Sequence, residues 1–319
     1  MRVLVTGAAG LYGLHTLEAL ASQQNILRVY GFDDFSRSFP READYMACRW
    51  GEKIQLVKQR FQETTVKELN SLNIDVVIHL AGYNSGKESI NTPEEYFLNN
   101  EYGTFQLMQT LMRTKNRPFL IYASTIEIYG EPVYTPLDEN HPVNPQNVHA
   151  VTKLAAEKHV LAASKWCNYP VLALRFTNTY GENQDICGYT SVVSSFIDRA
   201  LRKEPLIIYS SGDQTRDFLY VKDAAQALCM AVTRQTSLEG TVINVGTGKQ
   251  TSICELAEKI KRLTGSTSEI IKLPCEKGEP HRTPISTGPA FKLLAWTPQH
   301  TLEKGLLNTI SWHKSVRSI

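Results

Sequence analysis

Short apolar runs alternate with stretches of helical periodicity through the first half of the chain. Each run is continuously hydrophobic, without regular polar positions, which is typical of strands buried on both faces of a parallel sheet. The pattern predicts strands at 2–6, 26–32, 54–58, 75–82 and 119–124, and helices that begin near Gly10 and cover 65–72, 93–115 and 145–166. Residues 34–53 are polar and irregularly spaced, and they predict no regular element.

This alternation of strands and helices predicts an α/β fold, a doubly wound parallel sheet that binds ligands across the carboxyl ends of its strands. His79 lies inside an apolar run, and we expect it to be a packed core histidine. The segments 177–214 and 248–319 carry more proline and serine and have less regular spacing, which predicts a smaller, discontinuous C-terminal domain. The predicted sheet domain therefore comprises 1–176 and 215–247.

A glycine-rich turn follows the first predicted strand, with Gly7, Gly10 and Gly13 spaced as GxxGxxG. Glycines allow a tight turn and a close approach to a pyrophosphate, and a helix that begins there directs free N–H groups at that anion. Leu11 and Tyr12 occupy the first turn of that helix. A strand before the glycines and an amphipathic stretch after them favour a Rossmann-type dinucleotide site over an ordinary turn.

The second predicted strand ends in Asp33 and Asp34, about twenty residues after the glycine turn. A carboxylate at this place holds a ribose 2′-hydroxyl and repels a 2′-phosphate, so NAD is favoured over NADP. The alternative interpretation is a pair of aspartates in a surface turn. Arg37 follows closely, and because a guanidinium suits a phosphate, it keeps NADP as an alternative.

Composition narrows the class of protein. The 319 residues are 42% hydrophobic and 21% charged, as in an ordinary soluble globular protein, and the net charge of +2 gives no electrostatic case for nucleic acid or a membrane surface. The first predicted strand begins at residue 2, so we expect no signal peptide, and no apolar run has the length of a membrane span. The cysteines lack CxxC spacing, which argues against a zinc site and favours reduced thiols in a cytoplasmic protein.

An ordered set of further motifs runs through nearly the whole chain. They are the ASTIEIYG segment at 123–130, NPQNVHAVTKLAAE at 144–157, NEYGT at 100–104, RFTNTYG at 175–181, TRDFLYVKD at 215–223, INVGTG at 243–248 and LLAWTP at 293–298. Together with the glycine turn, this set resembles the extended short-chain dehydrogenase/reductases, specifically the NAD-dependent nucleotide-sugar epimerases and dehydratases.

The resemblance implies a catalytic group. In that family, a Ser or Thr at the place of Thr125 hydrogen-bonds the 4-hydroxyl of the sugar, and the Tyr of a YxxxK motif removes its proton while hydride leaves C4. The Lys of the motif, here Lys153, lowers the pKa of the Tyr and holds the nicotinamide ribose. This chain carries His149 at the tyrosine position. Residues i and i+4 share a helix face, so His149 is expected over Lys153. An imidazole accepts a proton at pH 7 unaided, whereas a phenol, of pKa about 10, depends on neighbouring positive charge.

Glu127 is a second catalytic candidate. Relatives that dehydrate or decarboxylate often have a Glu two residues after the Thr, where it takes the C5 proton of the ketosugar. The alternative is an ordinary exposed Glu after a strand. The familiar dehydratase pattern has an Asp before that Glu to protonate the leaving 6-hydroxyl, and this chain has Ile126 there. Another form of the family has a non-acidic residue at that place and still dehydrates.

The resemblance also implies binding residues. Arg216 and Arg282 match family arginines that grip the substrate diphosphate, Asn178 matches an asparagine that donates to it, and Leu80, Ala81 and Asn100 fall at cofactor-binding positions. Planar guanidinium groups suit phosphate oxygens, and surface salt bridging is the alternative for each arginine. Arg60 stands where relatives usually have an Asp that contacts the adenine.

Three functions remain open at this stage. The first is an NAD-dependent nucleotide-diphosphate-sugar epimerase or dehydratase that acts through a 4-keto intermediate. The second is a nucleotide-sugar 4-dehydrogenase that uses His149 in place of Tyr, and the third is a non-catalytic protein that binds NAD or a nucleotide sugar. The family habit further predicts a homodimer through the helices at 93–115 and 145–166.

Overall fold

The computed structural model describes residues 1–38, 40–184, 191–235, 238–274 and 283–317. The strands are β1 Arg2–Thr6, β2 Arg28–Asp33, β3 Ile54–Lys58, β4 Val76–His79, β5 Phe119–Thr125, β6 Val171–Phe176, β7 Asn178–Tyr180, β8 Leu206–Tyr209, β9 Thr215–Arg216, β10 Phe218–Tyr220, β11 Thr241–Val245, β12 Thr251–Ser252 and β13 Ile270–Leu273. The α-helices are α1 Leu11–Ala21, α2 Pro40–Trp50, α3 Val66–Leu72, α4 Gly86–Asn91, α5 Pro93–Tyr96, α6 Gly103–Met112, α7 Val148–Cys167, α8 Val192–Leu201, α9 Val221–Thr233, α10 Ile253–Thr264, α11 Gly288–Leu294 and α12 Leu302–Arg317.

A seven-stranded parallel sheet in the order β11-β6-β5-β4-β1-β2-β3 forms the centre of the described chain. The chain runs outward from β1 through β2 to β3 and then returns to β4 on the other side of β1. The strand order therefore reverses between β1 and β4, and a crevice opens at the carboxyl ends of these strands, where doubly wound sheets bind ligands. This arrangement confirms the predicted fold class.

Helices cover both faces of the sheet. On one face, Leu17 of α1 packs with Ala224 and Leu228 of α9 over strand residues such as Val5 and Ile78. On the other face, α6 and α7 bury Leu107 and Val160 against a second set of strand side chains. Both faces of the strands are therefore apolar, which explains the continuous hydrophobic runs in the sequence.

His79 is fully buried in β4, as expected for a core histidine. Its Nδ1 lies 2.7 Å from the Thr6 hydroxyl and its Nε2 lies 2.9 Å from the Thr104 hydroxyl. Burial lowers the pKa of His79 to about 3, so the ring is neutral at physiological pH.

The prediction of an irregular segment at 34–53 was wrong, because α2 spans Pro40–Trp50. Met46 of this helix is buried beside Ala9 and Leu14, and Trp50 packs against the same cluster. The spacing of Ala43, Met46, Ala47 and Trp50 is that of one helix face, but two of the four are small alanines in a segment of charged and polar residues, so the pattern is weak. The sequence reading also missed α4, which Ser85 caps by accepting a hydrogen bond from the Glu88 N–H.

The predicted helix at 93–115 is present with an altered centre. It begins as α5, passes through a π-helical stretch at Phe97–Tyr102 and continues as α6. A π-helical turn widens a helix locally and is frequent at functional sites. It holds Asn100, one of the predicted cofactor residues.

A separate hydrophobic cluster lies in the C-terminal part, where Phe196 and Ile197 of α8 pack with Leu256 of α10 and Leu306 of α12. Short strand pairs accompany it: β7 with β10, β8 with β13, and β9 with β12. Among the described residues, no helix combines the length and the apolar character that crossing a membrane requires.

Candidate active site

The glycine turn lies at the reversal point of the sheet. Gly7 has a φ of +71°, and a Cβ there would lie 2.7 Å from the Ala81 nitrogen. A Cβ on Gly13 would lie 2.1 Å from the Gly7 carbonyl oxygen, so glycine is required at both positions. Gly10 caps α1 without a side-chain hydrogen bond, which leaves the first N–H groups of the helix for an anion.

A cavity opens at this turn. It is lined by Gly7, Gly10, Leu11, Tyr12, Gly13, Asp33, Leu80 and Ala81, which are predicted cofactor residues, and also by Arg60. Glycines line the cavity where a pyrophosphate would approach, and the Asp33 carboxylate lines it where a ribose would lie. The residues present therefore fit a bound dinucleotide.

The Asp33 carboxylate is held in place by two backbone N–H groups and a serine hydroxyl. Its carboxylate accepts hydrogen bonds from the Ala9 N–H at 2.9 Å and the Phe35 N–H at 2.8 Å, and from the Ser38 hydroxyl at 3.0 Å. Burial raises the pKa of Asp33 above its ordinary value, although these hydrogen bonds oppose the shift. The carboxylate retains acceptor capacity for a ribose hydroxyl.

Arg37, the residue for which NADP remained an alternative cofactor, is bound by Glu88 and by an aromatic ring. Its two terminal nitrogens donate to the two Glu88 carboxylate oxygens at 2.7 and 2.6 Å. Its guanidinium also stacks on the Tyr83 ring, 3.7 Å from the centroid. Glu88 neutralises the charge of Arg37 and takes up the N–H donors that a 2′-phosphate would need, so the geometry favours NAD.

Asn100 lies behind the cavity wall and is buried. Its side-chain amide accepts from the Tyr83 N–H and donates to the Tyr83 carbonyl, both at 2.8 Å. It thus fixes the loop after β4 that lines the cavity. Arg60 is half exposed and lies 3.8 Å from Asp34.

Thr125 ends β5, and a 3₁₀ turn follows at Ile126–Tyr129. The Thr125 hydroxyl accepts a hydrogen bond from the Glu127 N–H at 3.2 Å, which leaves its own proton for a ligand. Ile126 points away from the solvent and packs with Ile128 and Leu137.

His149 and Lys153 lie in the first turns of α7, one helical turn apart, and both are buried. The Lys153 ammonium donates to the Ala123 carbonyl oxygen in β5. Burial lowers the pKa of Lys153 to about 7, while the charge of Glu157 opposes the shift. The Lys153 nitrogen also lies 3.9 Å from where a Gly82 Cβ would be, so Lys153 reaches the cofactor cavity that Gly82 lines.

Glu127 lies beside His149. Its Oε2 is 3.3 Å from His149 Nδ1 and 3.3 Å from Asn147 Nδ2. The Glu127 side chain is 42% exposed. Desolvation by the surrounding protein raises its pKa, but the His149 and Asn147 hydrogen bonds and the charges of His149 and Arg216 outweigh this effect, and the pKa lies below its ordinary value. Glu127 is therefore ionised at neutral pH.

The predicted substrate residues lie on neighbouring short strands. Arg216 is partly buried in β9 and donates to the Thr215 carbonyl at 2.9 Å. Asn178 is exposed in β7 and pairs with Phe218, two residues beyond Arg216. Since Arg216 also influences Glu127 electrostatically, it faces the same cleft as the predicted catalytic residues. Arg282 lies outside the described residues.

Sequence reasoning missed the residues that hold the site together, namely Gly86, Glu88, Tyr96 and Asn147. Tyr96 is buried with its ring edge toward His149, 6.3 Å between centroids, and its hydroxyl donates to Glu88 at 3.0 Å. Asn147 had a readable signal, because Asn directly before a helix is a typical N-cap. Ser85 and Glu88 likewise form the S-x-x-E pattern of a helix start, whereas Gly86 with Asn147 and Glu88 with Arg37 join residues distant in sequence.

Comparison with known proteins identifies the family of the chain. Residues 3–246 match the model of the NAD-dependent epimerase/dehydratase family. The chain belongs to this family. The family consists of enzymes that depend on NAD, which confirms both the predicted enzyme class and the predicted cofactor.

Relatives of the family differ in the sugar nucleotide that their names give. A putative UDP-glucose 4-epimerase of Methanocaldococcus jannaschii is 32% identical to this chain, and the alignment covers 98% of each of the two chains. UDP-glucuronic acid decarboxylase 1 of Danio rerio is 31% identical over 98% of this chain and 72% of its own. The solved structure of UDP-glucuronic acid 4-epimerase from Bacillus cereus, in complex with UDP-glucuronic acid and NAD, has a TM-score of 0.90 and 28% identity over 99% of this chain and 100% of its own.

Proposed function

We propose that the protein is a UDP-sugar 4-epimerase that acts through a 4-keto intermediate, with His149 as the proton acceptor. The observation that carries this proposal is the placement of Thr125, His149 and Lys153 around the end of β5, next to the dinucleotide cavity. UDP is the nucleotide in the names of the relatives and in the neighbouring complex.

The residues would divide the chemistry as follows. Thr125 donates to the C4 oxygen of the sugar and orients it. His149 takes the proton of the 4-hydroxyl and later returns one to the C4 oxygen, so the proton balance over a full cycle is zero. Lys153 holds the nicotinamide ribose, and Arg216 and Asn178 bind the diphosphate. NAD, when bound, supplies a reversible hydride acceptor for C4.

Two features of the 3₁₀ turn favour epimerisation over the familiar form of dehydration, in which an Asp before Glu127 supplies the acid. Dehydration needs an acid to protonate the leaving 6-hydroxyl, and the Ile126 side chain is buried in an apolar cluster. Glu127, the candidate base for C5, is hydrogen-bonded to His149. The turn therefore supports His149 as the base for C4 through Glu127, while Ile126 supplies no acid for the 6-hydroxyl.

The test is incubation of the NAD-loaded protein with UDP-, GDP-, dTDP- and CDP-sugars, followed by product analysis and stopped-flow absorbance of NADH. We expect a UDP-sugar to be converted to its C4 epimer with transient NADH, and His149→Gln to lose at least about a hundredfold in rate. Accumulation of NADH with a released ketosugar would instead indicate a 4-dehydrogenase. Tight binding of a UDP-sugar without any NADH signal would contradict the enzyme proposal and indicate a binding protein.

We also propose that the protein forms a homodimer through α5, α6 and α7 and the π-helical stretch. Large apolar side chains are exposed along these helices: Phe97, Leu98, Tyr102, Phe105 and Val151. Contiguous exposed apolar surface of this kind is characteristic of protein interfaces. Sedimentation should give twice the chain mass, and Phe97→Glu combined with Val151→Glu should give a monomer. A monomeric parent protein at micromolar concentration would contradict this proposal.

A further inference from the structure

The side chain of Asn147 makes two different contacts. Its Oδ1 accepts the Ala150 N–H at 2.8 Å and thereby caps α7. Its Nδ2 donates to the Glu127 carboxylate at 3.3 Å. One amide thus fixes both the start of the helix that carries His149 and the carboxylate next to His149.

The Glu127 contact determines the chemical form of the His149 ring. His149 is 4% exposed, and within the described residues its hydrogen-bond partner is the Glu127 carboxylate at Nδ1. An ionised carboxylate only accepts, so Nδ1 must carry the proton. Nε2 then carries the lone pair and is the nitrogen able to take a proton from a ligand.

Gly86, at the start of α4, provides the space for this arrangement. A Cβ on Gly86 would lie 2.9 Å from Asn147 Nδ2 and 3.3 Å from Cγ. Its backbone has no positive φ, so the lack of a side chain matters here for room and not for conformation. A larger residue at this position would push the Asn147 amide away from Glu127.

We infer that Asn147 and Glu127 are positioning residues that hold His149 as the Nδ1-protonated tautomer and present Nε2 as the base. The inference rests on the proposed function for its catalytic meaning, but the tautomer itself is independent of any substrate. Glu127, whose side chain is 42% exposed, also stabilises the imidazolium that forms when Nε2 takes a proton, as a carboxylate bound to Nδ1 does in other histidine bases.

The tautomer is measured directly by long-range ¹H–¹⁵N NMR on protein with labelled histidine rings. The His149 signals are assigned by their loss in His149→Gln. In the parent protein we expect the Nδ1-protonated pattern for His149. In Glu127→Ala, the ring should lose this preference and show the Nε2-protonated form or a mixture, because Nδ1 no longer has an acceptor.

Two substitutions at Asn147 separate capping from positioning. Asp and Ser both cap helices about as well as Asn, so α7 should remain folded in Asn147→Asp and Asn147→Ser. The Asp carboxylate repels Glu127, and the Ser hydroxyl cannot reach it as the amide does. Both variants should lose the His149 tautomer preference, Asn147→Asp most completely, with melting temperatures close to that of the parent.

Gly86→Ala is a test that leaves all the polar groups in place. It should weaken the tautomer preference by displacing the Asn147 amide, while Gly51→Ala, at a glycine with open space around it but a positive φ, should change stability without changing the His149 signals.

The rate of NADH formation on mixing with UDP-glucose or UDP-glucuronic acid gives the catalytic side of the test. We expect Glu127→Ala and Asn147→Asp to slow it by at least about tenfold. An Nε2-protonated His149 in the parent, or an unchanged tautomer and rate in both variants, would overturn the inference. If the parent shows the expected tautomer but forms no NADH with any UDP-sugar, the proposed function fails and the positioning of His149 stands.

Discussion

At the residue scale, the preference for NAD over NADP depends on whether Arg37 is paired with Glu88 or is available to bind a 2′-phosphate. Both terminal nitrogens of the Arg37 guanidinium donate to the Glu88 carboxylate, and the guanidinium lies over the Tyr83 ring. Removal of the carboxylate in Glu88→Ala should leave Arg37 free to pair with a 2′-phosphate. A charge-assisted hydrogen bond contributes about 1.5–3 kcal/mol, so the preference for NAD should narrow by about tenfold or more.

Calorimetric titration of the parent and the variant with NAD and NADP measures this change. The double variant Glu88→Ala with Arg37→Ala is the control and should regain the parental preference, because Asp33 still repels the 2′-phosphate. An unchanged ratio of dissociation constants in Glu88→Ala would mean that Arg37 does not reach the ribose.

At the element scale, the sequence predicted those elements whose signal is local. The parallel strands and the glycine turn were readable because burial on both faces and a tight turn each leave a short pattern. Helix α2 was missed because its apolar face combines small alanines with Met46 and Trp50, which pack on residues from other elements. The contact between Glu127 and His149 was not predictable either, because it depends on the path by which residues 130–147 bring the start of α7 next to the end of β5.

The junction of α7 with β6 is held by an ion pair that no local pattern reveals. Glu157 and Arg175 are almost completely buried, and two Arg175 nitrogens donate to the Glu157 carboxylate at 3.1 and 2.6 Å. Ser124 adds a third donor at 2.6 Å. Replacement of one partner leaves the other charge buried and unpaired, so Glu157→Gln should lower the free energy of unfolding by about 3–5 kcal/mol.

Denaturant titration of a double-mutant cycle tests this expectation. Because Glu157→Gln combined with Arg175→Met removes both charges, the double variant should be more stable than the sum of the two single variants implies. Ser124→Ala, which removes one neutral donor, should cost about 1 kcal/mol. Additive effects of the two charge substitutions would contradict a coupled pair.

Stability of the whole molecule should depend on pH through His313 in α12. The ring is buried, and both of its nitrogens lack a hydrogen-bond partner within the part of the chain that the structure describes. Burial lowers the pKa of His313 to about 4. The unfolded chain, with an ordinary histidine pKa of about 6.5, binds a proton more readily than the folded chain between these two values. The contribution of His313 to stability is therefore fully present above pH 6.5 and is lost as the pH decreases toward 4.

The His313→Leu substitution isolates this contribution from the other titrating groups. Leucine fills a similar volume and has no polar atom to leave unsatisfied, so the variant should be at least as stable as the parent at pH 7.5. Its advantage should grow by up to about 3 kcal/mol as the pH falls to 4, since a pKa difference of one unit corresponds to about 1.4 kcal/mol. Thermal unfolding at several pH values measures the difference, and parallel curves for the parent and His313→Leu would show that His313 takes up its proton as easily in the folded protein as in the unfolded chain.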